Sequence, residues 1–178
     1  MQLEVSKTRQ QFPLSTKKVL KKTLANTLLV TLLFLTVYCV MVIGLVSRYK
    51  ISEWLVSSSL FVFGFIFFFI GIVYFYQRWY YAVYFYDLAA DYIVIRKGAI
   101  TPQEITIPYE RIQDVYVDQD ILDRIFGLYD VHLSSATVSS GIAAHIDGLE
   151  KSEADGLKHA LLKIINERIS RKRVSTSL

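Results

Sequence analysis

The side chains best able to carry out chemistry are few and widely spaced in this sequence. Its three histidines, His132, His145 and His159, lack the close spacing with cysteine or with one another that zinc sites show. The one cysteine, Cys39, lies inside a long apolar run and cannot form a disulfide within the chain. The sequence therefore predicts no metal, no cofactor and no disulfide framework of the kind found in oxidising compartments.

A group of carboxylates between residues 114 and 123 is the best candidate for an active site in this sequence. Asp114 and Asp118 fall on alternate positions of a predicted strand and should point to solvent, while Asp120 and Asp123 follow it. The chain contains no GxSxG, no phosphate-binding P-loop and no HExxH motif. We therefore expect this protein not to be an enzyme.

Three polar residues at a predicted turn form the candidate site for a ligand or partner. Pro108 should end a strand, because it cannot donate to the ladder, and Arg111, Gln113 and Asp114 begin the next one. Their polar side chains could simply satisfy exposed backbone groups at the start of that strand. A binding role for the same residues is the alternative, and the sequence leaves both open.

Basic charge gathers near the ends of the chain, which has a net charge of +4. The charge does not form a patch with interleaved aromatic residues, so we do not expect a nucleic-acid partner. Close to the first apolar run, each basic side chain could gain about 1 kcal/mol from an anionic leaflet. The predicted inner-leaflet residues are Lys17, Lys18, Lys21 and Lys22.

Two apolar runs, residues 24–46 and 54–76, dominate the first half of the chain. Each is 23 residues long and contains no Asp, Glu, Lys or Arg, whereas a helix needs about 20 apolar residues to cross a bilayer. A cleavable signal peptide would have a shorter apolar region and a small-residue cleavage site. The two runs therefore predict an integral membrane protein with a transmembrane hairpin over residues 24–76.

The sequences that flank the apolar runs predict the orientation of the hairpin. Six lysines and arginines precede residue 24, but the short turn between the runs carries only Arg48 and Lys50. The positive-inside rule then places both termini in the cytoplasm, at the plasma membrane. Without internal charge the hairpin offers no ion path, although an accessory subunit of a transporter or membrane complex remains possible. The predicted interfacial aromatic residues are Trp54, Trp79, Tyr80 and Tyr81.

Beyond residue 77 the pattern changes to short alternating strands and a final helix. Alternation predicts strands over 82–87, 92–97, 104–108, 113–118 and 129–134, and a weaker one over 142–146. A short helix over 121–126 should end at Gly127, and Ser152 with Asp155 forms a capping box for a last helix. The stripe that this helix should bury comprises Leu157, Leu161, Ile164 and Ile165.

The motifs of the second half resemble a known family. Residues 92–100 (YIVIRKGAI), 105–115 (ITIPYERIQDV) and 121–131 (ILDRIFGLYDV) are similar to membrane-anchored bacterial pleckstrin-homology (PH) domain proteins, the YdbS-like group. The resemblance implies a PH-like antiparallel barrel or sandwich of about seven strands, capped by a C-terminal helix. The expected organisation is a basic cytoplasmic segment (1–23), the hairpin (24–76), the PH-like domain (77–170) and a basic disordered tail (171–178).

The resemblance suggests phosphoinositide binding, but the sequence argues against it and favours a membrane-tethered interaction module. Eukaryotic PH domains bind lipid with basic residues around their first loop, but the corresponding loop here carries Asp87 and Asp91. The expected partners are the lipid bilayer and a membrane protein or further copies of the chain, possible roles being envelope homeostasis or stress response. Binding of anionic lipid by the domain is the alternative.

Overall fold

The computed structural model describes residues 6–46, 52–135 and 144–176. These residues form two compact units. One unit runs from Val19 to Trp79 and is helical, and the other joins the residues up to Lys18 with those from Tyr80 onward. The predicted turn of the hairpin lies mostly outside the described residues.

Two described helices are long and apolar enough to cross a membrane: α2 (Lys17–Val46), over Lys17–Gly44, and α3 (Ser52–Val83), over Ser57–Val83. Their large apolar side chains are mostly exposed, as for Leu29 at 73% and Phe67 at 78%. The core helix of a soluble protein would instead bury such residues.

The two helices contact each other as an antiparallel pair. The rings of Phe34 and Phe65 lie 5.6 Å apart, and the hydroxyl groups of Tyr38 and Ser59 are 2.5 Å apart. Tyr38 follows Phe34 along α2, whereas its partner Ser59 precedes Phe65 along α3. The antiparallel arrangement predicted from the short connection is therefore confirmed.

The other unit is built from two three-stranded antiparallel sheets. The first contains β1 (Phe85–Leu88), β2 (Tyr92–Lys97) and β3 (Gln103–Pro108), in that order. The second contains β4 (Ile112–Asp118), β5 (Tyr129–Ser135) and β6 (His145–Leu149), in that order. The described strands thus form two sheets, and no strand pairing among them closes a seven-stranded barrel.

Three helices complete this unit: α1 (Lys7–Gln11), α4 (Ile121–Phe126) and α5 (Lys151–Thr176). Helix α4 begins with a capping box between Asp120 and Asp123 and ends at Gly127, whose φ of +67° suits glycine. Its bounds and its end are those predicted. Helix α5 buries Leu157, Leu161 and Ile165 in the core, which confirms most of the predicted stripe.

Several predicted boundaries were wrong. The first strand begins at Phe85 rather than at residue 82, because α3 continues to Val83 and the Tyr84 N–H still donates to the Tyr80 carbonyl. Ser152 is not the N-cap of α5: the helix has already begun at Lys151, and the Ser152 hydroxyl bonds to Glu153. Helix α5 also continues to Thr176, past the predicted start of a disordered tail, since no Gly or Pro lies between Leu157 and Thr176.

The N-terminal strap, residues 6–18, packs on both sheets. On β1, the Ser6 hydroxyl donates to the Tyr86 carbonyl at 2.5 Å and the Leu88 N–H donates to the Thr8 hydroxyl at 3.0 Å. On β6, Leu14 forms a β-bridge with Leu149. The segment predicted as a separate cytoplasmic extension is therefore part of the folded unit, and it covers one outer edge of each sheet.

Candidate functional site

The residues predicted to bind a partner lie together where β4 begins. Arg111 ends a short 3-10 turn over Tyr109–Arg111, while Gln113 and Asp114 are on β4. All three are exposed. The pairing of β4 with β5 shifts register between Ile112 and Asp114, so Gln113 occupies a β-bulge.

The buried ring of Tyr109 fixes the turn that carries Arg111. Its hydroxyl donates to the Ala89 carbonyl at 2.8 Å, and its N–H donates to the Asp91 carbonyl at 3.2 Å. Burial, and to a lesser extent the nearby Asp87 carboxylate, raise the pKa of Tyr109 to about 12. The phenol therefore stays protonated near neutral pH and remains a donor that joins the turn to the first sheet.

Asp114 satisfies a backbone group on the open side of β4. Its Oδ1 accepts from the Val115 N–H at 2.8 Å. Leu133 is the cross-strand partner of Val115 and donates its own N–H to Ala144, away from β4. In an antiparallel pair the Val115 N–H must then also point away, toward the free edge of β4. The predicted structural role of Asp114 is confirmed, and a binding role for the three residues remains a prediction.

The lysines predicted to face the leaflet differ in environment. Lys17 is exposed and pairs with Glu150 at 3.5 Å. Lys18 is buried, with its ammonium 2.7 Å from Asp147 and 3.8 Å from the centre of the Tyr84 ring. Its predicted role as a leaflet-facing charge is therefore wrong, because the ammonium is enclosed in the unit. Lys21 is also buried and Lys22 is half-buried.

Tyr84 completes the surroundings of the buried lysine. Burial raises the pKa of the Tyr84 phenol well above its ordinary value, and the Asp147 carboxylate raises it further. The protonated hydroxyl donates to the His145 carbonyl at 3.1 Å. Lys18, Asp147 and Tyr84 thus form a buried polar group that fastens the strap to β6.

The predicted interfacial aromatic residues fall at the two ends of α3. Trp54 lies in its first turn, and Trp79 near its last turns is exposed. Tyr80 and Tyr81 are half-buried against the core of the sheet unit, and the Tyr81 hydroxyl donates to the Leu14 carbonyl at 2.7 Å. Tyr81 therefore helps to hold the strap.

The structure also brings together residues that the sequence showed as scattered. The rings of Tyr116, His132 and His145 stack in a row across β4, β5 and β6. Asp118 and Asp130, on the same two strands as Tyr116 and His132, face each other beside this row. Alternation along β4 and β5 was the available signal, since it places Tyr116 with Asp118, and Asp130 with His132, on single faces.

A comparison with known protein families identifies the class of this protein. The family model described as "Bacterial PH domain" matches residues 18–165, which is most of the chain. The chain therefore belongs to the bacterial PH domain family, as its motifs predicted. No curated protein and no solved structure matches it.

Proposed function

We propose that this protein is a membrane-tethered interaction module whose PH-like unit binds a protein partner at the free edge of β4. An unpaired strand edge offers backbone donors and acceptors to an additional strand. The observation that carries the proposal is that the strap covers only two of the four sheet edges. The strap covers β1 and β6, whereas β3 and β4 have no further strand beside them among the described residues.

The edge of β4 has features that suit a selective contact. It carries the exposed side chains of Gln113, Asp114 and Tyr116, and the bulge at Gln113 turns the start of the strand out of regular pairing. The Asp114 carboxylate accepts the hydrogen bond of the Val115 N–H, which protects the edge from non-specific pairing with other strands. A partner that offers a better acceptor would replace this local bond.

The strap supports the membrane arrangement in the proposal. The residues before α2 and those after α3 belong to one compact unit, so they lie on the same side of any bilayer that the helices cross. Two crossings satisfy this requirement. Six basic residues precede residue 24 and only two lie in the turn between the apolar runs, which favours the cytoplasm for that side.

The acidic residues of β1 and of the turn that follows it favour a protein over a phosphorylated lipid as the partner. The Asp87 carboxylate accepts hydrogen bonds from the strap, at 3.1 Å from the Thr8 N–H. Asp91 forms an ion pair with Arg168 at 2.7 Å. A negatively charged headgroup would be repelled here. A membrane complex or a second copy of the chain are the partner types that we propose, in envelope homeostasis.

A photo-crosslinking amino acid at position 113 in intact membranes tests this proposal, with the same group at exposed position 152 on α5 as the control. We expect one discrete protein adduct from position 113 that is absent from position 152. An adduct with the mass of two chains would identify self-assembly. Adducts with lipid only, or the same adducts from both positions, would refute edge binding.

The Asp114 variants refine this test. Asp114→Ala frees the outward Val115 N–H and should increase the yield of the adduct. Asp114→Asn keeps an oxygen acceptor at the same place and should leave the yield near that of the wild type. Equal yields from all three proteins would show that the partner does not use this backbone donor.

A further inference from the structure

The outward face of the second sheet carries three potential metal ligands on two neighbouring strands. Asp118 on β4 and Asp130 on β5 form a cross-strand pair, and His132 is two residues from Asp130 on the same face. One ligand atom of each, a carboxylate oxygen or an imidazole nitrogen, lies within 4.8 Å of the other two. We propose that these three residues bind a divalent first-row transition cation such as Zn²⁺.

The imidazole that would bind the cation is held between two flat neighbours. His132 stacks on Tyr116 with ring centres 4.9 Å apart and planes 4° apart. On its other side it stacks on His145, at 5.3 Å and 19°. Cross-strand pairing positions all three rings, because His132 pairs with Tyr116 on β4 and with His145 on β6. The ring plane is therefore set before any ligand arrives, which lowers the entropic cost of binding.

The two carboxylates are also positioned. Asp118 Oδ1 lies 3.1 Å from His132 Nε2, and Asp130 Oδ1 accepts from the Gly148 N–H at 2.9 Å. Gly148 adopts a φ of +82°, a conformation that a side chain would oppose, where β6 departs from regular pairing with β5. The irregularity in β6 thus supplies the donor that orients Asp130.

The separation between the His132 and Asp118 ligand atoms suits one ion. Zinc bonds to nitrogen and carboxylate oxygen are about 2.1 Å long, so atoms 3.1 Å apart can share an ion at an angle of about 95°. Two carboxylates supply the charge that a divalent cation requires, and the imidazole favours a transition metal over Mg²⁺ or Ca²⁺. Metal binding at His132 Nε2 replaces the contact with Asp118, and any hydrogen on that nitrogen moves to Nδ1 or is released to solvent. Three protein ligands leave positions for water or for a ligand from a bound partner.

The site would join the ends of β4 and β5 next to the edge that we propose for partner binding, but its cation affinity does not depend on that proposal. The purified full chain in detergent micelles, treated with a chelator and then dialysed, would be titrated with Zn²⁺ by calorimetry. We expect one ion per chain. His132→Gln should weaken binding at least about 10-fold, because it removes the nitrogen ligand.

His159→Gln is the matched control, since His159 is exposed on α5 and distant in sequence from the cluster. It should bind Zn²⁺ as the wild type does. Asp118→Asn, at an exposed position, provides a second ligand variant if His132→Gln fails to fold, and it should also weaken binding at least about 10-fold. Weak binding that does not saturate, or equal affinity in the Asp118→Asn and His159→Gln proteins, would overturn the proposal.

Discussion

Replacing Lys18 with methionine removes the ammonium of the buried ion pair and keeps a flexible side chain of similar length. Asp147, at 4% exposure, would then retain a negative charge without the cation that lies 2.7 Å from it. The contact between the ammonium and the Tyr84 ring would also be lost. We expect the strap to detach from β6 more often as a result.

The magnitude follows from the burial of the pair. Removal of one partner from a buried ion pair typically costs about 3–5 kcal/mol. Lys17, one residue earlier, pairs with Glu150 at about half exposure on both sides, and such exposed pairs contribute less than about 1 kcal/mol. The free energy of detaching the strap should thus differ between the Lys18→Met and Lys17→Met proteins by at least about 2 kcal/mol. This difference corresponds to roughly 30-fold in the population of molecules with a detached strap.

Cleavage after Arg9 by an arginine-specific protease measures this population. The Arg9 guanidinium donates to the Tyr81 carbonyl at 3.1 Å and to the Tyr84 carbonyl, so Arg9 is protected while the strap is docked. When opening is fast relative to cleavage, the rate at the Arg9 bond follows the opened fraction. The full chain in detergent micelles is the substrate, and mass spectrometry identifies the fragment.

A second variant separates loss of the cation from loss of packing. Asp147→Asn in the Lys18→Met background removes the uncompensated charge, and it should restore most of the protection at Arg9. If Lys18→Met and Lys17→Met accelerate cleavage equally, the buried pair does not hold the strap and our reasoning about it is wrong.

Two further perturbations act on other parts of the same unit. Burial would raise the pKa of Asp87, but hydrogen bonds from the strap, including Thr8, outweigh it and lower that pKa. The resulting stability is present at neutral pH and is lost as the pH falls below about 4, so the protection factor of the Thr8 amide against hydrogen exchange should decrease there in the wild type but not in Asp87→Asn. Gly98→Ala should lower the free energy of unfolding by about 1–3 kcal/mol, because Gly98 has a φ of +106° and a Cβ atom would collide with a backbone carbonyl in its own turn. Gly127→Ala has open space around it and should cost only about 1 kcal/mol, so equal melting temperatures of the two alanine variants would contradict this explanation.

Local patterns in the sequence predict the elements that depend on neighbouring residues. Unbroken apolar runs predicted α2 and α3, and alternation predicted β2 with its observed bounds. Gly127 marked the end of α4 because a left-handed residue commonly ends a helix. The boundary between α3 and β1 was harder to predict, since Ala82 and Val83 fit either a helix or a strand. In the structure the preceding helix continues through both residues.

Long-range pairing explains what the sequence did not reveal. Lys18 looked like one of several flanking lysines, and nothing nearby indicates that its partner is Asp147, 129 residues later. The row of His132 and His145 depends on the pairing of β5 with β6, which no spacing motif records. Candidate residues such as Arg111 were proposed because they belong to a local turn, whereas residues brought together from separate strands were missed.

The strap also affects the order in which the unit can be completed. Residues 6–18 leave the ribosome before α2, but the strands that they cover, β1 and β6, are synthesised only after α3. The part of the segment that covers β6 must wait longest, because Asp147, the partner of Lys18, lies 129 residues after it. A fragment that begins at Tyr80 would lack the Lys18 ammonium beside Asp147 and would leave the edges of β1 and β6 uncovered. The sequence on both sides of the two apolar helices is therefore needed to make one folded unit.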